Sequence, residues 1–98
     1  MQEVEFLPAA RGEFLAAVDN YEAVSLGLGD QFLDEVTRAA DRIVAFPNHG
    51  SPHLSSARRV VLPGFPFDVV YLPDTDPVVI VAIAHHRRSP GYWEGRLL

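Results

Sequence analysis

The residues best suited to chemistry cluster late in the chain. His85, His86, Arg87 and Arg88 run consecutively, and Tyr92 follows four positions on. Histidine titrates near neutral pH and can carry a proton in either direction. Arginine presents a planar fork that matches phosphate and carboxylate oxygens. A second basic pair, Arg58-Arg59, precedes them. These residue types suit proton transfer next to a bound anion. His85 and His86 are therefore the candidate proton carriers, and Arg58, Arg59, Arg87 and Arg88 the candidate anion-binding residues.

Each candidate also has a purely structural role open to it. Adjacent residues at a strand end point to opposite faces, so His85 and His86 are expected to split, as are Arg87 and Arg88 if the strand continues. One histidine can be a packed residue beneath a loop, and one arginine can pair with helix acids. Arg58 and Arg59 can serve as charges on an edge strand. Tyr92 and Trp93 can latch the tail to the core, the reading favoured for Trp93, while Tyr71 reads as a core aromatic. His49 and His53 lie in a loop rich in glycine and proline, where their spacing fixes no common face. No metal site and no cofactor are expected.

The charge distribution narrows where an anion could bind. The 98 residues carry a net charge of −5, and all eight bases are arginines. Residues 1–57 hold three arginines against nine acids, a balance of −6, whereas residues 58–98 hold five against four, a balance of +1. An anion-binding face must be local and in the C-terminal half, because the molecule as a whole repels nucleic acid. Cysteine is absent, which excludes disulfide and thiolate chemistry. The longest apolar run, Val78 to Ala84, is too short to span a bilayer. The opening MQEVEFLPAA has neither a basic leader nor an apolar signal core, so a cytoplasmic protein is expected, folded as one domain over residues 1–98.

The elements that must position these residues follow from periodicity. Glu3-Val4-Glu5-Phe6-Leu7 alternates as a short strand and stops at Pro8. A helix follows, with Phe14, Leu15, Val18 and Tyr21 on its apolar side and Gly27 and Gly29 ending it. A second helix is expected from about Asp30 to Phe46, with a stripe of Phe32, Val36, Ala39, Ala40, Ile43 and Phe46, closed by Pro47. Residues 48–56 read as turn throughout. Three strands then begin at Arg59, Phe67 and Val78, joined by connectors short enough to force antiparallel hairpins. The third is apolar along almost its whole length, as befits a strand covered on both faces. The sum is an α+β domain of β-α-α-β-β-β order: two layers, a helical hairpin packed on a small, mainly antiparallel sheet.

That order and several local strings resemble the RelE/ParE superfamily of bacterial toxins from type II toxin–antitoxin systems. The strings are Phe6-Leu7-Pro8-Ala9-Ala10, Phe32-Leu33-Asp34-Glu35-Val36, Phe46-Pro47, Phe67-Asp68-Val69-Val70-Tyr71 and the run Ala84 to Trp93. The ending His-His-Arg-Arg-x-Pro-Gly-Tyr-Trp resembles a subgroup labelled plasmid stabilisation proteins. The resemblance implies a cognate antitoxin as partner, and one of two activities. RelE-like members cleave messenger RNA on the ribosome; ParE-like members block DNA gyrase without a hydrolytic site. On the first pattern Arg88 matches a family basic position and Tyr92 the terminal aromatic, which implies catalytic roles for both beside His85 and His86, and His86 falls where RelE has an arginine. Asp68 departs from it, placing an acid where RelE carries an arginine. The expectation from sequence is an endoribonuclease acting on ribosome-bound mRNA, with gyrase inhibition, or an inactive toxin that only binds its antitoxin, as the alternatives.

Overall fold

The computed structural model describes residues 4–97. Strand β1 (Val4–Phe6) leads into helix α1 (Pro8–Val24) with proline at its first turn, where the missing N–H costs nothing. Helix α2 spans Leu28–Ala45. Neither of the glycines expected to end α1 does so: the helix stops at Val24, capped by Ser25. Gly27, at φ 88°, is the residue flanking α2, and Gly29 lies inside its first turn. The Glu22 carboxylate accepts from the N–H groups of both, at 2.9 and 3.0 Å, and so caps α2 from the neighbouring helix. A Cβ on Gly29 would come within 2.6 Å of the Val18 carbonyl, so glycine there sets how closely the hairpin closes.

The last three strands pair antiparallel as their short connectors require, within a five-stranded sheet of order β1-β5-β4-β3-β2. β3 is Arg58–Val61, β4 Phe67–Leu72 and β5 Val78–His85, joined as antiparallel neighbours, while β1 pairs parallel with β5. The fifth strand comes from the segment expected to be all turn. Ser51–Pro52 forms β2, opposite Arg59 and Arg58 of β3, and Leu54–Ser56 makes a single 3-10 turn. Tyr71 explains why a proline- and glycine-rich loop pairs at all. Its buried hydroxyl donates to the Pro47 carbonyl at 2.6 Å and accepts from the Gly50 N–H at 3.0 Å, drawing the loop onto the sheet.

The two faces of the sheet carry different cores. Against the helices lie Phe32, Ile43, Val69, Tyr71, Ile80 and Ile83, with Phe14, Tyr21, Phe32, Phe65 and Phe67 in mutual aromatic contact. Two residues of the expected helical stripes are exposed, Leu15 at 48% and Phe46 at 67%. α2 stops at Ala45, and Phe46 leaves the helical region (φ −138°, ψ 79°) before Pro47, so the last residue of the stripe leaves the helix. The opposite face is covered by the tail, with Trp93 fully buried on Val70, Val81, Ala82 and Ala84. A register shift in the β4–β5 ladder (Val70 opposite Ala82, Tyr71 opposite Ile80) leaves Val81 as an extra residue, a bulge. Val81 and Ala82 consequently both pack under the tail.

Candidate functional site

β5 ends at His85, and the two histidines part there as alternation requires. His85 packs edge-on against Phe67, ring centres 4.9 Å apart, on the helix side. Its Nδ1 accepts from the Arg87 N–H at 3.0 Å, so its neutral form carries the proton on Nε2. His86 turns to the other face, where its Nε2 donates to Asp68 Oδ1 at 2.9 Å. Asp68 is buried, and its second oxygen lies 3.7 Å from the Arg59 guanidinium.

A cleft of about 330 Å³ opens on this tail-covered face. Arg59, Asp68, His86, Arg88 and Tyr92 line it, beside Trp93, and His85 borders it although its ring packs on the helix side. Five of the seven predicted residues therefore meet in one place. Arg58 and Arg87 do not. Arg58 donates to the carbonyls of Gly50 at 2.6 Å and Asn48 at 3.3 Å, bracing the loop ahead of β2. Arg87 is exposed and outside the cleft. Among the described residues no three histidines, cysteines or acids gather as metal ligands, and the His53 ring instead lies 5.6 Å from the Trp93 ring.

Two guanidinium groups lie over the Tyr92 ring. The Arg88 guanidinium sits 3.9 Å from its ring centre and that of Arg96 5.0 Å. Its hydroxyl donates to Glu13 Oε2 at 2.7 Å. Burial, together with the hydrogen bond and charge of Glu13, pushes the phenol far above its ordinary pKa. Glu13 itself is the centre of a clasp that the sequence reading passed over. It accepts two bonds from Arg96, at 2.8 and 2.9 Å, one from Tyr92, and one from the Ile83 N–H at 3.1 Å. Burial acts to raise its pKa, but the bonds from Arg96, Tyr92 and Ile83 outweigh it and hold the carboxyl below its ordinary value. Arg96 also donates to the Val81 carbonyl at 3.0 Å. Nothing local marks Glu13, which reads as one more polar residue on α1; its partners lie 70 to 83 positions away.

A helical hairpin on a mainly antiparallel sheet is the architecture that the RelE/ParE resemblance implies. The family described as "ParE toxin of type II toxin-antitoxin system, parDE" matches residues 4–90, and the chain belongs to it. The match stops short of Tyr92, Trp93 and Arg96. Among solved structures, a chain from the "Chromosomal ParDE TA system from P. aeruginosa" is similar in fold, with a TM-score of 0.65 at 16% identity, over 84% of this chain and 92% of that one. No curated protein matches significantly. Membership in a toxin–antitoxin family implies an antitoxin partner. No helix among the described residues is long and apolar enough to cross a membrane.

Proposed function

We propose that this chain, working as one domain in the bacterial cytoplasm, is a toxin that acts by binding DNA gyrase and not by cutting RNA. The observation that carries this reading is Asp68. A buried carboxylate forms part of the cleft wall where an RNA phosphate would have to sit, and it faces both Arg59 and His86. Stabilising a phosphorane needs converging positive donors, and a carboxylate among them works against the developing charge. Arg88 stacks on Tyr92, whose hydroxyl is given to Glu13. The ParE membership agrees with a binding toxin, since ParE-like relatives are the gyrase inhibitors of the superfamily.

One observation favours ribosome-dependent mRNA cleavage as the second reading. Asp68 fixes the orientation of His86, which is how a carboxylate supports a general base. A pair of assays separates the two. The purified chain is added to gyrase with relaxed plasmid, and separately to translating ribosomes. Loss of supercoiling with intact mRNA is the expected result. Intact supercoiling with mRNA cut within codons, abolished in a His85→Ala, His86→Ala double variant, would reverse the assignment.

A further inference from the structure

The tail is touched by a second segment, on the flank of the cleft that His53 and Trp93 line. Leu54–Ser56, the 3-10 turn after β2, is an excursion from a bonded base. The His53 N–H donates to the Ala57 carbonyl at 2.9 Å, and the Ala57 N–H to the Leu54 carbonyl at 3.0 Å. All three residues of the excursion are exposed, and few groups tie them down. The Ser55 hydroxyl donates to the Glu94 carboxylate. Leu54 lies over the tail at Gly91, where a Cβ would come within 3.2 Å of its side chain. The His53 ring faces the Trp93 ring at 5.6 Å.

Two unfavourable features meet at this contact. Ser55 and Ser56 are consecutive at φ 54° and 65°, the only non-glycine residues with positive φ among those described. A Cβ crowds the backbone in that region, which glycine alone visits freely. Trp93 is fully buried, yet its indole N–H meets no acceptor; among the described residues it is the one buried side-chain polar atom so placed. A buried donor normally finds an acceptor, because an unmade bond forfeits its hydration. Strain and an unmet donor thus fall on either side of one loop–tail contact, and the closed arrangement carries both. Raising the loop relieves both at once: the serines leave the left-handed region, and the side of Trp93 beneath His53 is uncovered.

We infer that residues 54–56 form a lid, hinged at His53 and Ala57, that lifts from the tail and adds Trp93 to the surface of the cleft, its N–H then free to donate to a carbonyl oxygen of the bound protein. Tryptophan at the centre of a contact is among the strongest anchors a protein offers. The use of that surface rests on the proposal that the cleft grips gyrase, whereas the lifting is a property of the chain alone.

The test follows hydrogen exchange of the Trp93 indole N–H in the whole chain, where it is the only tryptophan and gives a single resonance. Denaturant below the unfolding range should leave its exchange nearly unchanged while speeding the slowest β4 amides, as local opening requires. Ser55→Ala removes the bond to Glu94 and should speed the indole about threefold. Ser56→Gly eases the left-handed backbone while sparing that bond, and should slow it about threefold. Glu13→Gln should not alter it, since the clasp stays closed when the loop lifts. Indole exchange that tracks the β4 amides in denaturant, or no effect of Ser56→Gly, would overturn the lid. Faster exchange in Glu13→Gln would also overturn it, by showing that the tail moves and not the loop. In the supercoiling assay Ser56→Gly, which favours the shut lid, should inhibit about threefold more weakly. Inhibition equal to that of the native chain would overturn the use of Trp93 by the target. No inhibition by the native chain would instead remove the gyrase reading and leave the lid to stand or fall on exchange.

Discussion

The two faces of this sheet are built on different principles. The helix-covered face is closed by area: two long amphipathic helices and a set of touching aromatic rings. The tail-covered face is closed by one buried tryptophan and a polar clasp that joins Glu13 to Tyr92, Arg96 and the edge of β5. Apolar packing is spread over many residues and forgiving of any one contact, whereas a clasp concentrates its hold in a few charge-assisted bonds. The candidate cleft lies on the clasped face. A toxin surface is thereby placed on the part of the molecule whose shape depends on the fewest groups.

The strongest way to break this contrast is to hollow out each face in turn. Phe32→Ala and Trp93→Ala should each cost about 3–5 kcal/mol, the usual range for a buried large aromatic. The pattern should differ: Phe32→Ala should lower protection from hydrogen exchange throughout, while Trp93→Ala should lose it first along the tail and β5, with the helices retained. Uniform loss in both would show that the faces unfold as one.

A smaller effect is expected at the clasp. Glu13→Gln keeps the shape but removes the charge opposite a partly buried arginine, and denaturant unfolding should register a loss of about 2 kcal/mol. A loss no larger than that of an exposed ion pair would mean the tryptophan alone holds the tail.

The smallest effect is one of pH. Because the folded state holds Glu13 below the ordinary glutamate value, its contribution is complete above that value and fades as the pH falls through the lowered one. Unfolding followed from pH 6 downward should show the native chain losing stability relative to Glu13→Gln below roughly pH 4.5. Parallel curves would remove Glu13 from the acid response.

Legibility in the sequence divides along the same line. Helices, hairpins and the apolar β5 are written in local periodicity, and these led to the α+β fold and to the residues that end β5. β2 escaped because what makes a strand of Ser51–Pro52 is the distant hydroxyl of Tyr71. Phe46 fits a helical period on paper and leaves the helix because proline follows. Gly27 and Gly29 announce a break, but their second task, meeting the Glu22 carboxylate, depends on how the hairpin folds back. In the cleft, residue type singled out Arg59, His85, His86, Arg88 and Tyr92, and equally Arg58 and Arg87, because nothing in a basic residue states which way it will turn. Asp68 stood out only as a departure from a pattern, and its grip on His86 needed the strand register. Glu13 carried no signal.

The bond that Glu13 accepts from the Ile83 N–H and the one that Arg96 donates to the Val81 carbonyl do more than fasten a tail. β1 is only three residues long, and beyond it β5 would present bare main-chain donors and acceptors, the template on which stray strands assemble into aggregates. Two side chains already occupy that template. The stretch of β5 that β1 leaves uncovered is thereby closed to a further strand.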